Sequence, residues 1–375
     1  METISLNALQ IYWWLLVSVI GALFVFMTFV QGGQTLLYTL GKTEAERDLI
    51  INSLGRKWEL TFTSLVMFGG ALFAAFPLFY AVSFGGAYYL WMSILFCFII
   101  QAVSYEYRKK PNNFFGTYFY ERLLFINGSV GIFLLGIALG TLYSGGNFIV
   151  NEMNLSHWTK TSYGLEALLV PFNIAFGFML VFLSRMQGSL YLYNHLDNKA
   201  LEQRTLYTLK QNTMMFFPLF LYVMGSMLFQ IGYSYDEHTS IVHTESMKLL
   251  HNFMQYPQLA VILVLGIVIL LFGIYSALFK LNRRAIWFSG LGTILTFTLL
   301  LFILGINHTI YYPSLADLQS SLSIKNSSGS YYTLFIMSIV SLLVPIVIGY
   351  IFFVWRAMDK KKMTIEEIKS DSHHY

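Results

Sequence analysis

Nine apolar runs set the terms for this chain, near residues 9–30, 58–80, 82–104, 122–143, 165–185, 206–231, 257–280, 284–306 and 331–355, with charged or turn-rich stretches between them. Each is roughly 18 to 28 residues long, enough to carry a helix through a hydrocarbon core about 30 Å thick. Composition points the same way. Of 375 residues, 56% are hydrophobic and only 11% charged, with mean hydropathy +0.60, so too few charged side chains remain to cover a water-soluble globule. The expectation is an all-α polytopic helical bundle of about nine transmembrane helices. No repeat, Gly/Ser/Pro-rich linker or low-complexity tract divides it, so residues 1–375 are read as a single integral membrane domain.

Positively charged loops resist translocation, so the basic residues orient such a bundle. One side holds 20 of the 23 Lys and Arg: Lys42, Arg47, Arg56 and Lys57; Arg108, Lys109, Lys110 and Arg122; Arg185, Lys199, Arg204 and Lys210; Lys280, Arg283 and Arg284; Arg356, Lys360, Lys361, Lys362 and Lys369. The other side holds Lys160, Lys248 and Lys325. Merging or splitting one helix would invert every later loop and destroy this asymmetry. The N-terminus is therefore expected outside and the C-terminus inside. Met1 to Gln10 carries no Lys or Arg and leads into a run too long for a signal core, so it reads as a retained first span. The net charge of +4 has no basic patch interleaved with aromatics behind it, and nucleic acid is set aside.

Trp13, Trp14, Trp58, Trp158 and Trp355 fall near span ends and read as interfacial anchors. Gly69, Gly70, Ala71, Ala74 and Ala75 before Pro77 would let another backbone approach, which predicts a central second span. Gln31-Gly32-Gly33-Gln34 closes the first span, either as a close-approach site for a partner or cofactor or as a turn leaving the membrane.

Few residues could carry chemistry. The eight histidines avoid the span centres: His157, His238, His243 and His251 lie in or beside outer loops, His195 in an inner loop, His308 near an outer span end, His373 and His374 in the tail. Methionines such as Met67 and Met179 read as core filler, so this chain is expected to hold no haem or metal alone, with His308 the one histidine kept open. Cys97 stands alone in an apolar run and forms no intrachain disulfide. Asp236, Glu237, His238, His243 and Glu245 match no defined metal spacing and read as a solvated loop. Gly41-Lys42-Thr43 imitates a phosphate loop, but Leu36 stands where its first glycine belongs. Glu106 with Arg108 and Glu121 with Arg122 read as solvated interfacial pairs. Glu59, after Arg56, Lys57 and Trp58, has Thr63 on its helix face. Two readings of it stand side by side: the mouth of a proton-uptake route from inside, or an interfacial carboxylate paired with Arg56 or Lys57.

These residues resemble subunit II of the cytochrome bd-type quinol oxidases. The likeness runs through Ile11-Tyr12-Trp13-Trp14-Leu15-Leu16-Val17, Leu40-Gly41, Glu46-Arg47, Ile51-Asn52-Ser53, Trp58-Glu59, Gly69 to Pro77 with Tyr80-Ala81, Thr364-Ile365-Glu366-Glu367-Ile368 and Tyr375. The resemblance implies a subunit of an oxygen-reducing quinol oxidase in the bacterial cytoplasmic (inner) membrane. Haems b and d and the quinol-oxidising loop would belong to a partner, subunit I, against which this chain packs. It also implies that Glu59 serves a proton route toward haem d. The arrangement admits a small single-span accessory subunit, lipid and a structural quinone. One departure stands out: where relatives often carry Asp-Gly-Phe-Asp-Met-Gly, this chain reads Met27-Thr28-Phe29-Val30-Gln31-Gly32. The alternatives are a secondary transporter, which would want midplane charges or an inverted repeat, and a purely structural assembly subunit.

Overall fold

The structure, a computed structural model, describes residues 4–360, 362–364 and 366. Among these, nine helical segments are long and apolar enough to cross a membrane: Leu6–Gln34, Glu44–Ala75, Tyr88–Tyr107, Thr117–Ser144, Pro171–His195, Lys199–Phe229, Pro257–Lys280, Ala285–Gly305 and Tyr331–Met358. Number and order agree with the sequence reading; the boundaries move for identifiable reasons. The second crossing starts at Glu44, where Thr43 and Glu46 form a reciprocal capping box that satisfies the first free N–H groups. It ends at Ala75, because Pro77 has no N–H to continue the ladder. The carbonyl of Ala75 is taken instead by the Gly329 N–H, at 2.9 Å. A π-helical turn over Ala81–Gly86 follows, and the third crossing begins at Tyr88. Of the tail motif, Ile365, Glu367, Ile368 and Tyr375 lie outside the described residues.

Alternate loops gather at opposite ends. At one end are two antiparallel hairpins, Phe148–Val150 with Ser156–Trp158 and Ile231–Tyr235 with Val242–Ser246. Bridges join Gly146 to Ser314 and Ser234 to Thr309 there. This end carries Lys160, Lys248 and Lys325. The other end carries the remaining described basic residues, apart from Arg185 inside the fifth span, and is tied by ion pairs of Arg204 with Glu46 and Arg283 with Glu202. Its last strand-like contact is made by Met363, whose backbone bonds to His195 and Asp197.

The first span sits at the centre, with 78% of its most apolar window buried, and packs against the second, fifth, eighth and ninth. Glycine makes its closest contact. A Cβ on Gly32 would lie 1.9 Å from the carbonyl oxygen of Ser184 in the fifth span, and one on Gly188 would lie 2.5 Å from the Gly33 nitrogen. The Gly32-Gly33 pair is therefore a close-approach site, and its partner is this chain's own fifth helix. Gly136 and Gly177 let the fourth and fifth spans cross in the same way.

Two expectations are corrected. The small residues of the second span do not make it central: a Cβ on Gly70 would meet nothing within 4 Å, and one on Gly69 only the ring of Phe84. Nor do Trp13, Trp14 and Trp158 keep their indole N–H groups in water as interfacial anchors. The indoles of Trp13, Trp14 and Trp158 donate to the carbonyls of Leu334, Leu301 and Val82 at 3.1, 3.1 and 2.9 Å. Trp355 is buried beneath the Lys57 ammonium, 5.4 Å from its ring. An indole N–H out of water needs an acceptor, and backbone carbonyls of neighbouring helices supply it for Trp13, Trp14 and Trp158. Replacing Gly32 by Val is expected to push the first and fifth spans apart at a cost of about 1–3 kcal/mol. The measurement is the melting temperature of the purified protein, and an unchanged value would show that the contact is not tight.

Candidate functional site

Glu59 lies in the first turn of the helix Trp58–Ala75, just past a break at Arg56 and Lys57. The break separates three neighbours into three environments. Lys57 points inward, fully buried, and donates to Asp359 at 2.8 Å. Trp58 lays its ring on Tyr105 of the third span, centroids 5.6 Å apart and nearly parallel. Glu59 faces out. It shares the uncovered side of its helix with Phe62, Thr63, Val66, Met67, Gly70 and Phe73, a run at spacings of three and four residues that marks one face. Lys57 is thus committed to Asp359 and not to Glu59, so half of the ion-pair reading is corrected.

The sequence reading missed the strongest charge cluster at this end. Glu121 does not pair with Arg122 in solvent. It is completely buried and accepts from both Nε and Nη2 of Arg108, at 3.2 and 2.6 Å. Arg47 approaches it to 3.4 Å, and the Tyr38 hydroxyl donates to its other oxygen at 2.8 Å. Arg108 also reaches Asp48 at 2.6 Å, and Lys109 joins Asp48 at 3.0 Å. Glu106 stays exposed on the outward side of the third span. Burial, together with the Glu121 carboxylate, raises the Tyr38 phenol above its ordinary range. The cluster closes the second, third and fourth spans onto one another, so the Glu121 carboxylate is structural while that of Glu59 lies open.

His195 is not in a loop: it ends the fifth-span helix, buried, with Ser53 at 2.7 Å and Asp359 at 3.4 Å. The candidate loop metal ligands are absorbed into the second hairpin. Asp236 accepts from the backbone of His238 and Thr239 and so builds the turn. Glu245 accepts from Lys248, His251 and Ser234. Burial pushes the Glu245 carboxyl up, but the hydrogen bonds from Lys248, His251 and Ser234 outweigh it and bring the value from 4.5 down to about 2. His308 lies half exposed beside Glu237, at 3.9 Å. Among the described residues no three His, Cys, Asp or Glu converge as a metal site.

A narrow apolar cavity of about 30 Å³ lies between the first, second, third, fourth and eighth spans, lined by Val17, Phe68, Leu72, Trp91, Leu139 and Leu301 among others. Its hydroxyls are already engaged: Ser18 donates to Trp14, and Ser83 accepts from Trp91.

Removing one member of a buried ion pair strands the other. Glu121→Ala is therefore expected to destabilise the protein by roughly 3–5 kcal/mol, read as a lowered melting temperature, with Glu121→Gln recovering part of the loss. An Ala variant that melts like the parent would refute the structural role. For Glu245 the sign follows from a depressed value. Its stabilisation is complete above about pH 4.5 and is lost as the pH falls toward 2. The difference in melting temperature between the parent and Glu245→Gln should shrink over that window, and a difference that stays constant would contradict the assignment.

The family model for cytochrome bd terminal oxidase subunit II matches residues 9–358. The chain is 29% identical over 384 aligned residues to cytochrome bd-I ubiquinol oxidase subunit 2 of Escherichia coli strain K12, with 99% of each chain covered. It is 28% identical over 370 residues to a probable cytochrome oxidase subunit 2 of Haemophilus influenzae, with 94% of each covered. The bd oxidase structure from Geobacillus thermodenitrificans matches its fold with a TM-score of 0.64 at 16% identity, over 93% of this chain and 98% of that one. Because the family match takes in all nine crossings, the chain belongs to the cytochrome bd terminal oxidase subunit II family.

Proposed function

We propose that this chain is the non-haem subunit of a quinol:oxygen oxidoreductase of the aerobic respiratory chain, a single membrane domain in the bacterial cytoplasmic membrane with its N-terminus outside. Haems b and d and the quinol-oxidising loop belong to subunit I. Electrons from quinol reduce oxygen there, quinol protons leave outside, and protons taken from inside complete the water. This chain packs against subunit I, stabilises it and supplies part of the inner proton route.

The observation that carries this reading is the placement of Glu59. It stands at the Lys/Arg-rich end of an uncovered apolar helix face, with Thr63 one turn above it. An ionisable side chain beside a lipid-facing stripe is costly unless another surface or water meets it. When subunit I covers this face, Glu59 lies in the seam, where its carboxyl can pass protons between the inner water and the partner. The outward rows of the seventh and ninth spans leave room for lipid or a single-span accessory subunit. A structural quinone or lipid is proposed to lie in the aromatic grooves of the outer surface.

Glu59→Gln keeps shape but cannot ionise. In the purified complex it is expected to slow oxygen consumption at least about tenfold while the reduced-minus-oxidised haem spectrum stays unchanged, and Glu59→Asp should restore most of the rate. Full turnover in Glu59→Gln would refute the proton role. The chain expressed without subunit I should show no haem bands.

A further inference from the structure

One cation inside the bundle has no counter-charge. Arg185 stands in the fifth span, 14 residues after Pro171 and 10 before His195, which lies at the Lys/Arg-rich end. Measured from Pro171 that is about 21 Å along a helix that has to cross about 30 Å of hydrocarbon. The buried cations elsewhere are met by carboxylates: Lys57 by Asp359, Arg108 by Glu121 and Asp48, Lys248 by Glu245. Among the described residues Arg185 bonds only to neutral side chains.

Its guanidinium is nevertheless held in place. Nε donates to Asn212 Oδ1 of the sixth span at 2.9 Å, and Nη1 to the Thr35 hydroxyl at 2.8 Å. Both partners are 3% exposed and turn their own donors away, Asn212 to the Thr208 carbonyl at 2.9 Å and Thr35 to the Gly32 carbonyl at 2.6 Å. They offer the guanidinium lone pairs and no negative charge. Nη2, with its two N–H groups, has no partner among the described residues and is not enclosed, since Arg185 is half-exposed. An arginine that needed only to escape hydrocarbon would swing its long stem to water. This one is pinned on two sides and presents its third nitrogen at the surface.

The surface that leads to Arg185 is apolar. Between Pro171 and Asn194 the fifth-span positions that are not buried are Ile174, Phe178, Val181, Phe182 and Arg185, a stripe at helical spacing on one face. Phe133 of the fourth span flanks it, its ring 4.7 Å from that of Phe178. Past Arg185 the stripe ends, and Met186 to Tyr193 are all buried. From Ile174 to Arg185 the rise is about 16 Å, close to one leaflet of a core about 30 Å thick. An apolar track one leaflet long that stops at a fixed cation complements a phospholipid, with an acyl chain on the track and the phosphate at the guanidinium. No carboxylate pairs with Arg185 that could receive the ammonium of a zwitterionic head group, so the complementary lipid is anionic.

We propose that the fifth span carries a site for one anionic phospholipid of the leaflet at the Lys/Arg-rich end, with a phosphate oxygen on Arg185 Nη2 and an acyl chain along Phe182, Val181, Phe178 and Ile174. The site rests on the reading of the chain as a membrane subunit and is independent of Glu59, which lies on another helix. The purified complex, stripped of lipid, is titrated with dioleoyl phosphatidylglycerol, with dioleoyl phosphatidylcholine or with inorganic phosphate, and bound molecules are counted by native mass spectrometry. The parent is expected to hold one phosphatidylglycerol at least about tenfold more tightly than phosphatidylcholine, and inorganic phosphate should not displace it. Arg185→Gln, whose haem spectrum shows that it has assembled, should lose that one tight site, and Arg185→Lys should keep part of it. A Gln variant that holds phosphatidylglycerol as the parent does overturns the site, and so does a parent that binds the two lipids alike. Displacement by inorganic phosphate overturns it in favour of a free-anion site. Should Arg185→Gln fail to assemble, Arg185→Met is read in its place with the same expectation, and the two-lipid comparison in the parent stands without either variant. The titration counts lipid and not haem, so its failure leaves the oxidase reading untouched.

Discussion

A polar group that enters a lipid-facing bundle has no solvent to fall back on, and the fold of this chain is arranged around that fact. Helix termini, indoles, amides and charges reach across helix boundaries for their partners. Trp13 finds a carbonyl of the ninth span and Trp14 one of the eighth. Glu121 and Arg108 find each other across the third and fourth spans and draw in Asp48 from the second. Even the break at Pro77 is repaired from a distant loop by Gly329. The apolar side chains fill the spaces between these contacts, but it is the polar contacts that say which helix goes where.

How much of this was legible follows from the same physics. Crossing number and order could be read because a span must be long and apolar, and both are visible along the chain. The open face of Glu59 was half legible: helical spacing put Thr63 beside it, yet nothing in the sequence told which side of the helix would be covered. In water an apolar stripe marks the inside; in a bilayer both the inside and the outside of a bundle are apolar, so Gly70 could not reveal that it faces away from the rest of the chain. Pairing was the least legible. Arg122 is adjacent to Glu121 and looked like its partner, but adjacent residues on a helix point apart, and Arg108 takes its place from another helix.

The amides were also there to be seen. Gln31, Gln34 and Gln101 are polar interruptions in apolar runs, and such residues in a crossing almost always face the interior of the bundle. The first span ends in uncharged amides where relatives often carry aspartates, and the structure sets those amides against another glutamine and a tyrosine. The interior at this level is thus polar through uncharged side chains.

The ninth span carries a different consequence. It is the least buried of the nine, yet it lies along the first: Tyr12 bonds Ser341, Trp13 donates to Leu334, Phe26 stacks on Trp355, and Lys57 waits for Asp359. During synthesis the first helix enters the membrane before any of these partners exists. The buried ammonium of Lys57 and the indole of Trp13 stay without their final neighbours until almost the whole chain has been made. The bundle is therefore locked by its last helix, and a truncated or stalled chain is marked by exposed polar groups on its first two helices, where quality control in the membrane can tell it from a finished one.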